Sequence, residues 1–271
     1  MNCQVDIVII GDSQSGHEAV KKLAASRPTI KIAFISREFK RTTTHDYLNV
    51  EYIKDEIIFT DYKNRLFGCY LKSGDRIYCT HLILASGLVY KPLVINNKQV
   101  PCVFNTTDAI PKFAKNQQAV VLGQQDADVK LAIAIAKKYK YVYFCTESLT
   151  PNITDKNIQK LINIENLVIL PNATINRVVT SNDILTSVEL DNYSTLTCSA
   201  IFVKTESSPE TNFVSDRLIS KDEKGFLKTT NTAQSLLVPK CYAVGNCASK
   251  STQKMRDAMV EDILNDFGGN K

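Results

Sequence analysis

The chain has 271 residues, of which 44% are hydrophobic, and its formal net charge is +5. This length allows one large domain or two medium ones, with a sizeable core. Because the 33 Lys and Arg residues are dispersed, the mild positive charge argues against a nucleic-acid-binding protein. No apolar run approaches the roughly 20 residues of a membrane span, and the N-terminal run is too short and too poor in positive charge for a signal peptide. The predicted location is the cytoplasm, without membrane contact.

The first segment predicts a strand, a glycine turn, a helix and a second strand. An apolar run covers residues 5–10, Gly-Asp-Ser-Gln-Ser-Gly follows at 11–16, and helical and strand patterns cover residues 17–26 and 31–36. This order is typical of the unit that wraps the pyrophosphate of a dinucleotide cofactor. Its usual middle glycine lets the backbone approach the phosphates, and Ser13 replaces it here.

Short alternating strands follow, and then a second unit like the first. The strands are predicted at residues 50–54, 57–60, 67–72, 76–79 and 81–85, with turns at 61–64 and 73–75. The second unit has a strand at 119–122, a turn at 123–128, a helix at 129–138 and a strand at 141–145. The chain therefore contains an internal duplication of the strand–turn–helix unit.

The rest of the chain, residues 146–271, alternates strands with one helix before a terminal helix. The predicted elements are a helix at 154–162, strands at 167–170, 175–179, 185–190 and 200–203, a hairpin-like segment at 218–230, a strand at 241–245 and a helix at 252–267. Eight cysteines are spread along the chain with no C-x-x-C spacing, so we expect free, partly buried thiols. With only three histidines and no obvious triad, the sequence predicts no catalytic residue and no metal site.

Four fragments of the second half carry a family resemblance. They are Ile-Phe-Val at 201–203, Pro-Glu-Thr-Asn-Phe at 209–213, Asp-Glu-Lys-Gly-Phe at 222–226 and Cys-Tyr-Ala-Val-Gly-Asn at 241–246. Their order and spacing resemble thioredoxin reductases, within the FAD/NAD(P)-dependent pyridine nucleotide-disulfide oxidoreductases. The resemblance covers nearly the whole chain. It implies an α/β fold with two nucleotide-binding, Rossmann-type domains: a discontinuous FAD-type domain at 1–100 plus 207–271, and an inserted NAD(P)-type domain at 101–206.

The resemblance implies FAD contacts in the first unit. The pyrophosphate turn, G-x-G-x-x-G in the family, corresponds to Gly11, Ser13 and Gly16. The second strand usually ends in an acidic residue that holds the adenosine ribose. Here Ser36 stands at that place, and Glu38 follows two residues later.

Two further flavin motifs are implied near the ends of later strands. The A-T-G motif near the flavin corresponds to Ala85, Ser86 and Gly87, a conservative form. The A-x-G-D motif, whose Asp serves the ribityl chain and phosphates, ends here in Gly245 and Asn246. The segment between the second and third strands is also shorter than in the family. The sequence therefore leaves FAD binding open: the protein either binds FAD or keeps the glycines of its first unit as a structural turn.

The second turn departs further from the family pattern. The expected G-x-G-x-x-A corresponds to Gly123, Gln125 and Asp128. Gln125 blocks close backbone approach, and Asp128 places a negative charge near the helix start that should receive a pyrophosphate. Residues 145–147 contain no Arg to read a 2′-phosphate. NAD(P)H binding is therefore not expected.

The redox-active C-x-x-C of the family is also missing. The corresponding residues 104–108 contain no cysteine, and Cys102 stands alone nearby, so no internal disulfide can pass electrons to thioredoxin. The combined losses favour a catalytically degenerate structural or interaction protein that pairs with itself or with a protein partner. The alternative is an FAD-dependent oxidoreductase with a different electron donor and acceptor.

Overall fold

The computed structural model describes residues 2–39, 47–105, 114–192 and 194–268. The chain divides into two compact units: unit 1, Met1–Val89 with Ser207–Lys271, and unit 2, Tyr90–Glu206. Each unit is built on a sheet that is wholly or mainly parallel and carries helices. The predicted α/β class is confirmed.

The α-helices are α1 Gln14–Ser26, α2 Asp126–Ala136, α3 Asp155–Ile162 and α4 Gln253–Gly268. Short 3-10 helices cover Ala114–Asn116 and Gly245–Cys247. The strands are β1 Asn2–Ile10, β2 Ile32–Ser36, β3 Val50–Lys54, β4 Ile57–Lys63, β5 Leu66–Leu71, β6 Arg76–Leu84, β7 Leu88–Tyr90, β8 Val94–Ile95, β9 Lys98–Gln99, β10 Val103–Phe104, β11 Gln118–Leu122, β12 Tyr141–Cys145, β13 Leu167–Leu170, β14 Ile175–Ser181, β15 Ile184–Leu190, β16 Thr195–Thr197, β17 Ala200–Val203, β18 Ser207–Pro209 and β19 Cys241–Ala243. Within the described ranges, no helix has the length and apolar character needed to cross a bilayer.

The sheet of unit 1 has the strand order β3-β2-β1-β6-β5-β4, with β19 beside the second half of β6. Strands β3, β2, β1, β6 and β19 are parallel, while β5 and β4 form an antiparallel extension. The register aligns Ile10 with Ile35 and Leu84, and Leu84 with Ala243. The carboxyl ends of β2, β1, β6 and β19 therefore meet at one edge, which we call the carboxyl edge of unit 1.

Both faces of this sheet are covered, which explains its continuous apolar strands. One face, with Ile9 and Phe34, packs against α1 and α4 through residues such as Leu23 and Met259. The other face packs against a long irregular segment of residues 213–227. Because both faces are buried, packing fixes the register of the strands and therefore the position of the carboxyl edge.

Unit 2 repeats this plan with the all-parallel order β10-β17-β11-β12-β13. One face packs against α2 and α3 through residues such as Val129, Ile135 and Leu161. The opposite face packs against the antiparallel sheet β14-β15-β16 through Leu185 and Val188. The predicted internal duplication of the strand–turn–helix unit thus appears as one such turn in each sheet.

Some predicted boundaries are wrong. Residues 61–64 do not form a turn, because β4 continues to Lys63 against β5 and the chain reverses at Asn64 and Arg65, whose φ values are 53° and 64°. The separate strands predicted at 76–79 and 81–85 are one strand, β6, because β1 pairs with it throughout. The hairpin-like segment predicted at 218–230 does turn back at Gly225, whose φ is 86°, with Lys221 bridged antiparallel to Leu227, although it forms no regular strands.

Candidate functional site

Most of the predicted cofactor residues meet at the carboxyl edge of unit 1. Gly11 follows β1, and a Cβ on it would lie 2.4 Å from the carbonyl oxygen of Ala85 and 2.6 Å from Cα of Ser86. Gly11 also has a φ of +111°, which L side chains rarely adopt. The loop after β1 therefore touches the loop after β6 through main-chain atoms, and only glycine fits there.

Gly16 and Gly245 extend the same close contact. A Cβ on Gly16 would lie 2.4 Å from the carbonyl oxygen of Gly11, and one on Gly245 would lie 3.0 Å from Oγ of Ser15. The 3-10 turn after β19 thus lies against the start of α1. Gly87, in contrast, faces open space.

Ser13 caps α1. Its Oγ accepts the N–H of Gly16 at 3.2 Å, and its extended backbone is that of an N-cap residue. A serine at this position satisfies one of the N–H groups that a helix start leaves free. The side chain expected to hinder a phosphate therefore occupies one of the donors that a phosphate would use.

Asp12 and His17 form a pair at the same helix start that the sequence reading missed. His17 Nε2 contacts Asp12 Oδ1, and the two side chains are only 17% and 10% exposed. The His17 ring also meets Phe34 edge-on at 5.0 Å. A carboxylate near a helix N-terminus is favoured by the helix dipole, and it competes there with any other anion. The five-residue separation follows no common helical spacing, so it gave no signal.

At the end of β2, the residues expected to contact a ribose form a hydrogen bond with each other. Ser36 Oγ donates to the carbonyl oxygen of Glu38 at 2.9 Å, and Glu38 is exposed. Beside them, Phe39 packs on Phe34 and Tyr52 at ring-centroid distances of 5.2 and 5.8 Å. The predicted pair Ser36 and Glu38 thus stands next to an aromatic cluster.

Glu210 spans the carboxyl edge between β2 and β6. Ser86 Oγ donates to its carbonyl oxygen at 2.6 Å, and its N–H donates to the carbonyl oxygen of Gly87 at 3.1 Å. Its carboxylate pairs with the guanidinium of Arg37, which also lies 3.7 Å from Glu56. Ser86 therefore fixes the position of Glu210, which is distant in sequence. Glu210 in turn connects the loops that follow β2 and β6.

Asn246 differs from the other predicted residues. It lies in the 3-10 turn after β19 and is exposed. Across the described ranges, no hydrogen bond engages its side chain. Its amide is available to a ligand in a way that the hydroxyls of Ser13, Ser36 and Ser86 are not.

The turn of unit 2 is closed by its own residues. Asp128 is 8% exposed, and its Oδ2 accepts the N–H groups of Gln124 and Gln125, each at 3.0 Å. Asp126 Oδ1 accepts the N–H and hydroxyl of Thr154 at 2.8 and 3.2 Å. Hydrogen bonds from Asn157 and Thr154 lower the pKa of Asp126.

The thiols are free and mostly buried, and Cys79 is hydrogen-bonded to Cys69 in the core of unit 1. All eight are free, and six are buried. Burial raises the pKa of Cys145 and of Cys198 to about 12, so both remain thiols at neutral pH and are poor nucleophiles. Of the residues that correspond to the family's redox motif, 106–108 lie outside the described ranges. Among the side chains that the structure does describe, no group of three His, Cys, Asp or Glu could hold a metal ion.

A family model described as Pyridine nucleotide-disulphide oxidoreductase matches residues 39–261. Among solved structures, thioredoxin reductase from Lactococcus lactis in the FR conformation is 17% identical, over 97% of this chain and 99% of that one, with a TM-score of 0.65. Thioredoxin reductases from T. acidophilum (15% identity, 96% and 99% covered, TM-score 0.66) and Giardia duodenalis (17%, 98% and 99%, 0.60) are also similar. A search of curated proteins finds no match. At these identities the likeness to solved structures shows the fold, and it confirms the predicted thioredoxin-reductase-like architecture.

Proposed function

Because the chain belongs to the pyridine nucleotide-disulphide oxidoreductase family, we propose that it is a catalytically degenerate, thioredoxin-reductase-like protein that acts as a structural or interaction protein in the cytoplasm. It keeps the family scaffold and pairs with itself or with a protein partner. The observation that carries this proposal is the lack of any C-x-x-C pair in the sequence. Disulfide exchange needs an accessible thiolate and a second cysteine within reach.

The arrangement of the thiols supports the proposal. Cys102 is partly buried, and Cys145 and Cys198 are buried with raised pKa values. A buried, protonated thiol reacts slowly with an external disulfide. These cysteines therefore serve better as small core residues than as an electron relay.

The residues of the second turn do not fit NAD(P)H. A dinucleotide pyrophosphate would have to displace the Asp128 carboxylate from the N–H groups of Gln124 and Gln125. It would also meet like charge from Asp126, close to the helix start. Hydride transfer from a nicotinamide is therefore no part of the function proposed for this unit.

An FAD-dependent oxidoreductase is the second candidate, and the convergence at the carboxyl edge of unit 1 favours it. There Gly245 and Asn246 would hold the ribityl chain, and Ala85 and Ser86 would lie near the ring. A bound flavin would supply two-electron chemistry. The Asp12 carboxylate at the start of α1 opposes the pyrophosphate, which is why this candidate ranks second.

The visible spectrum of the purified protein separates the two candidates. We expect a colourless protein that does not bind added FAD and does not oxidise NADH or NADPH. Stoichiometric flavin absorbance would refute the cofactor-free proposal and establish the alternative. A double variant, Ser13→Gly with Asn246→Asp, restores two family residues and tests whether these two positions alone prevent flavin binding. Its cost in stability from the cap is a few tenths of a kcal/mol.

Pairing is tested separately. Strand β4 exposes Ile58, Phe59 and Tyr62 by 55%, 46% and 39%, and adjoining exposed apolar side chains support a protein contact. Light scattering across a concentration series should give the mass of a dimer at high concentration. Ile58→Glu should shift that equilibrium towards monomer, whereas Ile184→Glu, at a similarly exposed residue of unit 2, should not.

A further inference from the structure

The carboxylate of Asp128 is turned back onto the main chain that precedes its own helix. Two consecutive N–H groups, of Gln124 and Gln125, converge on one oxygen at 3.0 Å each. This is how strand–turn–helix units hold a phosphate oxygen, with main-chain donors at the positive end of a helix. A carboxylate that is 8% exposed would be costly without such partners. The two hydrogen bonds therefore satisfy both the carboxylate and the turn.

Gly123 makes room for this carboxyl group. A Cβ on Gly123 would lie 2.6 Å from Cβ of Asp128 and 2.8 Å from the ring of Phe144. In a dinucleotide turn the first glycine serves the tight bend before the phosphates. Here the same glycine is required by a side chain of the protein itself.

A neighbouring segment is fastened across the turn. Asn152 forms a bridge with Gln125, and Thr154 donates its N–H and hydroxyl to Asp126. The chain between β12 and α3 thus passes over the start of α2. Both acidic side chains of the turn are therefore hydrogen-bonded within unit 2. Asp128 accepts N–H groups of the turn itself, and Asp126 accepts the N–H and hydroxyl of Thr154 in the covering segment.

We propose that Asp128 is an internal ligand that takes the place of a cofactor phosphate, so that unit 2 forms a closed nucleotide-binding-type domain without a nucleotide. The ligand class it replaces is the pyrophosphate of a dinucleotide. This inference deepens the proposed function and rests on it in one respect: the wild-type protein is expected not to bind NADH or NADPH. It holds whether or not unit 1 takes a flavin.

The test is rescue by an anion. Asp128→Ala in the full chain should lower the midpoint of thermal unfolding by about 5 °C in chloride buffer, the shift typical for loss of one strong buried contact. Sodium pyrophosphate should restore most of that loss. Asp183→Asn is the matched control, because it removes one negative charge from an exposed turn of the same unit. Wild type and the control should show only the small, general stabilisation that such anions give.

Two outcomes would overturn the inference: an unchanged midpoint in Asp128→Ala, or a pyrophosphate shift no larger than that of the control. If the alanine variant does not fold, Asp128→Asn replaces it; because its amide oxygen still accepts the N–H groups, the midpoint should fall by less, and pyrophosphate should still stabilise it more than the control. Hydrogen exchange of the wild type gives a further measurement. The amides of Gln124 and Gln125 should be protected, and rapid exchange of both would refute the proposed bonding. Binding of NADH at this turn of the wild type would also refute the inference, whereas flavin-dependent oxidation of NADH would refute the proposed function.

Discussion

Replacing Gly11 with alanine should destabilise unit 1 by about 2–5 kcal/mol. The added Cβ would lie 2.4 Å from the carbonyl oxygen of Ala85, 2.6 Å from Cα of Ser86 and 2.7 Å from the Ala85 carbonyl carbon. All three atoms belong to the main chain and cannot rotate away. A left-handed backbone costs an L residue roughly 1–2 kcal/mol, and forcing extra volume into a packed site adds about 1–3 kcal/mol.

Gly74→Ala is the control that separates these two costs. Gly74 has a φ of +95°, and a Cβ there would meet no atom within 4 Å, so only the backbone cost of roughly 1–2 kcal/mol applies. Urea unfolding followed by far-ultraviolet circular dichroism gives both free energies, with equal m-values as the condition for comparison. The reasoning fails if Gly11→Ala is no more destabilising than Gly74→Ala.

The result also bears on the retained glycine motif. At a glycine kept only for a cofactor, alanine would cost a cofactor-free protein no more than the backbone term measured in Gly74→Ala. A large loss of stability in Gly11→Ala would show that contact between the β1 and β6 loops is sufficient reason for glycine at this position. The motif would then carry no information about a bound flavin.

Two further predictions concern titratable and reactive groups. Burial lowers the pKa of His81, although the contact with Asp266 at 3.1 Å acts in the opposite direction. Below about pH 6.5 the unfolded chain therefore binds more protons than the folded chain. The free energy of unfolding should fall as the pH drops through that value. His81→Gln should flatten this part of the profile, and an equally steep profile in the variant would contradict the assignment. In the native protein, a thiol reagent should modify only Cys3 and Cys102 rapidly, because the other six cysteines are buried; all eight should react in denaturant, and fast native reaction of more than two would refute the burial pattern.

Local patterns in the sequence predicted the regular elements well where the strand is one continuous apolar run. Strands β12, β13 and β17 have the predicted bounds, because continuous apolar runs leave little choice of limits. The reversal after β4 was misplaced because Asn64 and Arg65 take left-handed conformations without a glycine to mark them. The single strand β6 was divided because polar Thr80 interrupts its apolar pattern.

The candidate site was predictable in its positions and not in its internal contacts. Ser13 and Asp128 were recognised as obstacles from the residue types alone. That Ser13 would cap α1, and that Asp128 would bond two N–H groups of its own turn, depends on side-chain directions that spacing does not give. The ion pair between Arg37 and Glu210 joins residues far apart in the sequence, so only the folded chain brings them together.

The split of unit 1 along the sequence has a consequence for synthesis on the ribosome. Strand β19 lies beside Leu82, Ile83 and Leu84 of β6, yet it follows the whole of unit 2 in the chain. Domains generally fold as units while the chain emerges, so unit 2 can finish folding while this stretch of β6 still has an unpaired edge. Such an edge invites pairing with other chains. The edge is covered only when β19 has been synthesised. A chain that stops before residue 241 should therefore aggregate although unit 2 is complete.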